Sequence, residues 1–349
     1  MRTFKEKGST HVDLSVVAVV PSPDDFEGSG AVRLPAEADC AGMAFGSSRK
    51  PVLGNDVLKS WADRVRELGM RSLWLASGGR DGKVDGPTLT QFVRQGVERL
   101  LLIKLKSYAE MDLADLLRFH RDRGNPITEA EDARGELGVC LLDRIALCST
   151  SDEQVFHRAG ECNQTPYQFN GYAKRILSAT ERQELVGDGL TGACAMKPLG
   201  TQIRDKVWVG EGVKIAPSAR IIGPVYIGAH TTIGAGATIG PFSSVEHDCV
   251  VDCGTTVEQS TVLPNSYLAP GLLIRNSQVD GRHLEHLRWG AVADLQPAQM
   301  GRRIQPRGSR RPLFSNTDQN DFFSRPDGPF PWELGSAPAM AQPWLQVQL

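Results

Sequence analysis

Val225-Tyr226-Ile227-Gly228-Ala229-His230-Thr231-Thr232-Ile233-Gly234-Ala235-Gly236-Ala237-Thr238-Ile239-Gly240 decides the architecture, because a branched aliphatic followed by glycine returns every six residues. Outward from this stretch the same step reaches Ile203, Val209, Ile215 and Ile221 on one side and Val245, Val251 and Val257 on the other. The residue after each aliphatic is usually small or acidic: Gly210, Ala216, Gly228, Gly234, Gly240, Glu246, Asp252 and Glu258. Four positions after each aliphatic stands a second column, Val207, Val213, Ala219, Val225, Thr231, Ala237, Ser243, Cys249, Thr255 and Thr261. A helix repeats at about 3.6 residues and a strand at about two, so neither produces this period.

A hexad accommodates one short strand and a corner: the aliphatic points inward, the small residue lets the backbone turn, and the second column fills the remaining interior. Three such sides close a coil, and coils stacked about 4.8 Å apart build a triangular prism of parallel sheets. Beyond Thr261 the register slips by one residue and runs on through Val262, Leu268 and Ile274, which predicts about four coils ending near Gly281. The expected fold here is a left-handed parallel β-helix of hexapeptide repeats, an exception to right-handed crossover. Arg282 to Val292 has an amphipathic helical pattern suited to covering the edge of the last coil.

The whole chain, 40% hydrophobic and 23% charged, has the balance of a soluble globular protein of two domains. Lys+Arg 39 against Asp+Glu 41 leaves a net charge of -2, which removes the electrostatic case for nucleic acid or anionic lipid as partner. Gly 36 and Pro 21 favour many short strands joined by turns. The cysteines are odd in number and widely spread, so reduced thiols and a cytoplasmic location are expected. Residues 1–11 are charged and lack the apolar core of a secretory signal. No apolar run approaches the roughly 20 residues of a membrane-spanning helix.

Upstream of the repeat the pattern alternates. Leu14 to Val20, Ser72 to Ala76, Leu100 to Leu105 and Leu137 to Leu142 read as strands, whereas Val57 to Leu68, Thr88 to Glu98, Leu113 to His120 and Tyr172 to Val186 read as helices. Such alternation predicts an open parallel sheet with helices on both faces. Residues 1–186 form this α/β domain, residues 187–293 the β-helix with its capping segment, and residues 294–349 a mostly disordered tail rich in Arg, Pro and isolated aromatics, without an apolar period. The tail reads either as a solubilising terminus or as a docking peptide.

An α/β domain running directly into hexapeptide repeats resembles the sugar-1-phosphate nucleotidyltransferases, or NDP-sugar pyrophosphorylases, in particular the mannose-1-phosphate guanylyltransferase and glucose-1-phosphate adenylyltransferase types. The likeness spans residues 13–281 and rests on specific segments. Lys50-Pro51-Val52-Leu53 with the helix and strand after it looks like the family's Lys-Pro-Met/Leu-Leu segment, and Leu101-Leu102-Ile103 with Met111-Asp112-Leu113 looks like the strand and helix around its Asn-Gly-Asp. The resemblance implies a Rossmann-like, nucleotidyltransferase-like domain, a nucleotide or sugar nucleotide as ligand, and Mg²⁺ as cofactor of any transfer. It also implies a phosphate contact for Lys50.

The chemistry of that family needs backbone N–H groups and an arginine around the phosphates, and carboxylates for Mg²⁺. Where the family has Gly-Gly-x-Gly-Thr-Arg, this chain has Pro21-Ser22-Pro23-Asp24-Asp25-Phe26-Glu27, in which two prolines lack N–H groups and three acids repel phosphate. Where the family has Asn-Gly-Asp, it has Lys104-Leu105-Lys106, and an ammonium cannot ligate a metal. Lys106 would instead supply positive charge. The expectation is therefore a catalytically degenerate member that binds a nucleotide sugar or regulates an active paralogue in polysaccharide or envelope sugar metabolism. No cofactor or metal site is certain.

Two other activities stay open. One is a nucleotidyltransferase with relocated catalytic groups. The other is an acyltransferase working from the β-helix, since proteins with this repeat use a histidine as general base between neighbouring subunits. His230 lies 18 residues before Asp248, one coil away, so the carboxylate would orient the imidazole. A homo-oligomer, or pairing with the paralogue, is expected from the flat sheet faces.

Overall fold

The computed structural model describes residues 14–20, 32–35, 50–68, 72–78, 84–85, 89–94, 96–149, 165–295 and 345–346. Contacts divide the chain into two units, Met1–Lys50 with Asn55–Glu181, and Pro51–Gly54 with Arg182–Leu349.

In the first unit, strands β1 (Leu14–Val20), β2 (Val32–Pro35), β3 (Ser72–Gly78), β4 (Val84–Asp85), β5 (Arg99–Lys104), β7 (Ile127–Asp132), β8 (Gly135–Asp143) and β9 (Tyr167–Gln168) form one sheet in the order β2-β3-β1-β5-β8-β7-β9, with β4 on β3. A separate pair joins β6 (Ser107–Ala109) to β10 (Ala173–Arg175). Leu100, Leu101, Leu102 and Ile103 are all fully buried, as expected for a central strand covered on both faces. The sheet is not all parallel. β1 runs parallel to β3 and β5, but β8 runs antiparallel to both β5 and β7. The cause is a tight hairpin: Asp132 Oδ1 accepts a hydrogen bond from Arg134 N at 2.8 Å, and Gly135 takes a φ of 111°, which reverses the chain within two residues. The interval between Gly124 and Gly138 thus holds β7 and the start of β8.

Helices α1 (Val57–Glu67), α2 (Leu89–Arg94), α3 (Leu113–Arg123) and α4 (Arg144–Ser149) follow local signals. Asp56 caps α1 by accepting from Leu58 N, and Asp112 caps α3 by accepting from Ala114 N, each at 2.8 Å. Gly124, with φ 63°, ends α3. The helix expected from Tyr172 begins later, as α5 (Ala179–Thr191), because Ala173–Arg175 pairs with β6. Ser178 and Glu181 form a reciprocal cap: Ser178 Oγ accepts from Glu181 N at 3.1 Å, and Ser178 N donates to Glu181 Oε2 at 3.0 Å.

In the second unit the hexads coil into a left-handed β-helix of about four turns over residues 207–279. One face stacks β12 (Val207–Val209), β15 (Val225–Ile227), β18 (Ser243–Val245), β21 (Thr261–Val262) and β24 (Ser277–Asp280); a second stacks β13 (Lys214–Ile215), β16 (Thr232–Ile233), β19 (Val250–Val251) and β22 (Tyr267–Leu268); the third stacks β14 (Arg220–Ile221), β17 (Thr238–Ile239), β20 (Thr256–Glu258) and β23 (Leu273–Arg275). Partners lie eighteen positions apart at Val207↔Val225 and Ile215↔Ile233, and seventeen at Val245↔Val262 and Val251↔Leu268, so the one-residue slip is real. The aliphatics from Val209 to Ile274 line one buried core, with Ile221 packed at its margin.

Two expectations about this unit change. Ile203 lies outside the stack, on β11 (Thr201–Arg204), which pairs antiparallel with β12 and leaves it exposed. Arg282 to Val292 is not a helix: after Gly281 (φ 57°) the chain folds back as β25 (His283–His286) on β24, then β26 (Val292–Asp294) on β25. The alternation of that segment suits an edge strand, and pairing satisfies the free backbone of β24. Within the tail, Leu345–Gln346 forms β27, antiparallel to β13. Residues 296–344 and 347–349 lie outside the described residues.

At Gly228 and Gly234 the next coil approaches too closely for a side chain. A Cβ on Gly234 would stand 2.8 Å from Cys253 N and 2.9 Å from the Asp252 carbonyl carbon, and one on Gly228 would stand 2.5 Å from His247 N.

Candidate functional site

One corner of the β-helix stacks Gly212, His230, Asp248 and Asn265, all left-handed, with φ of 66°, 57°, 56° and 58°. His230 and Asp248 therefore occupy equivalent positions one coil apart, both exposed, and the His230 backbone N–H donates to Glu211 O. The carboxylate turns to a different imidazole. Asp248 Oδ2 lies 2.9 Å from His247 Nδ1, with both side chains about half exposed. The hydrogen bond to Asp248 raises the His247 pKa above the ordinary imidazole value against the opposing effect of burial, and the same bond lowers that of Asp248. A histidine whose second nitrogen is held by a carboxylate has one ring nitrogen left to exchange a proton. His247 was legible only as one of two histidines in the repeats; the side-chain pairing of adjacent residues carries no periodic signal.

Directly before His247, just past the end of β18, stands Glu246, which is fully buried. Its Oε1 accepts from Leu53 N at 2.9 Å and from Ser244 Oγ at 2.7 Å, and its Oε2 accepts from Gly54 N at 2.8 Å. Leu53 and Gly54 have φ of 55° and 78°, so their successive N–H groups form a concave nest that a carboxylate fills. Burial raises the Glu246 pKa, and these hydrogen bonds pull against it. Through this contact Pro51–Gly54 belongs to the β-helix unit, while Lys50, exposed, ends the preceding stretch of the α/β unit. A buried carboxylate at a hexad's second position is the residue that spacing alone did not reveal as a clamp.

Asp252 and Glu258, the equivalent acids of the next two hexads, have separate partners. Asp252 Oδ2 accepts from Tyr267 Oη at 2.9 Å, and Glu258 Oε2 meets Arg275 Nε at 2.7 Å. Among the described residues no group of three or more His, Cys, Asp or Glu side chains is placed to hold a metal. Cys249 is buried and Cys253 exposed, both as free thiols.

In the α/β unit, Lys106 follows the end of β5, where its ammonium pairs with Glu136 and its stem lies against Gly138. A Cβ on Gly138 would stand 2.9 Å from Lys106 Cε. Lys104 is lowered by burial and by Lys106, and Glu129 is raised by burial and by Glu136. Arg175 completes the cluster with two hydrogen bonds to Asp132, at 2.9 and 3.2 Å. Lys106–Glu136 and Arg175–Asp132 are thus two ion pairs of this strand end. The segment Pro21 to Glu27 lies outside the described residues. His120, missed as a candidate, is 1% exposed, bonds Thr128 Oγ1 at 2.8 Å and Asp143 Oδ1 at 3.1 Å, and packs α3 onto the sheet.

Among the described residues no helix is long and apolar enough to cross a membrane. A search of curated proteins finds no match to the chain. Residues 206–241, the first two coils, match the family described as bacterial transferase hexapeptide (six repeats), and this region is a hexapeptide-repeat β-helix.

Proposed function

We propose that the protein is a cytoplasmic, homo-oligomeric relative of the sugar-1-phosphate nucleotidyltransferases that binds a nucleotide sugar without making one. The single observation behind this reading is the Lys106–Glu136 pair. At the strand end where the resemblance calls for a metal-binding aspartate stands an ammonium, and its charge is already met by a carboxylate of the same unit. Paired in this way, Lys106 neither ligates Mg²⁺ nor offers a free charge to a triphosphate. A hexapeptide β-helix in a transferase-type family agrees with descent from a transferase. The test is a thermal-shift panel of nucleotides and sugar nucleotides with and without Mg²⁺, run beside a pyrophosphate-release assay. A ligand that binds only the folded state raises the melting temperature. Stabilisation by a nucleotide sugar without Mg²⁺, and no pyrophosphate release, is the expected result; release with any sugar phosphate and triphosphate would refute it.

A second reading rests on the His247–Asp248 pair. It is an oriented, solvent-accessible general base on a transferase-family scaffold, and it fits an acyltransferase using an acyl thioester donor. Acyl transfer that is lost in His247→Ala and weakened in Asp248→Asn would establish this activity in place of the first.

A further inference from the structure

A parallel β-helix ends in open strand edges, and its first coil has three of them. On the first face β11 covers β12. On the second face the open edge of the first coil is β13. Lys214 N donates to Thr231 O and Ala216 N donates to Ile233 O, both toward the next coil. Groups alternate along a strand, so the N–H and C=O of Ile215 face away from the stack, at the open edge. Ile215 is 8% exposed and belongs to the core, so an unmet N–H and C=O beside it would be costly. β27 meets this edge with Ile215↔Leu345 and Lys214↔Gln346 in register.

We propose that Leu345–Gln346 is an intramolecular edge cap that pairs antiparallel with β13 and blocks pairing of this edge with a second copy of the chain. Three observations support it. The register sets Leu345 opposite the inward-facing Ile215, the first member of the column Ile215, Ile233, Val251 and Leu268. The sequence Leu345-Gln346-Val347-Gln348-Leu349 alternates apolar and amide residues with the period of a strand that has one covered face. Leu295 and Leu345 are separated by 49 residues, which extended would reach roughly 160 Å, whereas four coils stack to about 20 Å, so the same chain spans both ends with ease. The recognition is by main-chain hydrogen bonds, with alternate side chains setting the register.

The experiment compares the full chain with a form ending at Pro343 and with Leu345→Pro in the full chain. Amide hydrogen exchange of the Val213–Ala216 segment and light scattering over a range of concentrations are the readouts. Exchange at Ile215 should rise about tenfold or more in both variants, with species larger than the full chain's own oligomer appearing, and the synthetic peptide Trp344–Leu349 should restore protection. Unchanged exchange in both variants overturns the proposal. So does protection in the full chain that falls on dilution, which would mean that the cap comes from another copy.

Discussion

Glu246, Asp252 and Glu258 occupy the same position in successive hexads, yet each meets a different environment: a backbone nest, a tyrosine hydroxyl and an arginine. The six-residue period locates them but says nothing of what covers each face. Similar reasoning applies to inward and outward residues. Ile233→Ala should cost about 2–5 kcal/mol in urea melts through lost burial and a cavity between coils, while His230→Ala, on an exposed corner, should change stability by about 0.5 kcal/mol or less. Gly234→Val should approach the cost of Ile233→Ala, because its Cβ would meet the backbone of the next coil. Equal effects at 233 and 230 would refute the register. At the corner, the raised pKa of His247 means that its pairing with Asp248 stabilises the fold fully below the unfolded imidazole value, and that this contribution fades as pH rises through the folded value. An NMR titration should place His247 above the ordinary imidazole value in the parent and lower in Asp248→Asn; identical midpoints would contradict the pairing.

Elements with their own start and stop chemistry were readable in advance, and those decided by pairing were not. α1 and α3 carry aspartate caps, and α3 stops at a glycine, so their limits match the sequence pattern closely. The late start of α5 was also encoded, as Ser178-Ala179-Thr180-Glu181, but the apolar spacing from Tyr172 masked it. By contrast, nothing in Leu137 to Leu142 announces its direction, since a continuous apolar run fits a parallel or an antiparallel neighbour equally well. The direction of β8 is set by the hairpin at Asp132–Gly135, four weakly patterned residues. The same limit misassigned β25, whose pattern over eleven residues reads as a helix until the edge of β24 offers hydrogen bonds. Ser178→Ala should therefore cost about 1 kcal/mol, measured by thermal unfolding of the intact protein, and Ser178→Asn should recover most of it. No loss in the alanine variant would show that the reciprocal cap carries no weight.

At the scale of the molecule, the second unit is not built from one continuous piece of chain, because Pro51–Gly54, more than a hundred positions upstream, is part of it. Glu246 supplies one tie, since two of its three donors, Leu53 N and Gly54 N, come from that segment, and the bond from Leu199 N to Leu53 O supplies another. This coupling gives a prediction that separates a clamp from an ordinary buried acid. In the full chain, Glu246→Ala strands both N–H groups and should cost about 1–3 kcal/mol. In a fragment of residues 182–349 the donors are absent, and Glu246 keeps only Ser244 Oγ while its carboxylate gains access to water. The same substitution there should be nearly neutral, because the interaction it removes no longer exists. Chemical unfolding of the four proteins closes a thermodynamic cycle between the substitution and the segment. A coupling energy of about 1 kcal/mol or more is the expected outcome. Equal costs in fragment and full chain would show that Glu246 stabilises the coils themselves, and that the nest of Leu53 and Gly54 is held on the β-helix by something else.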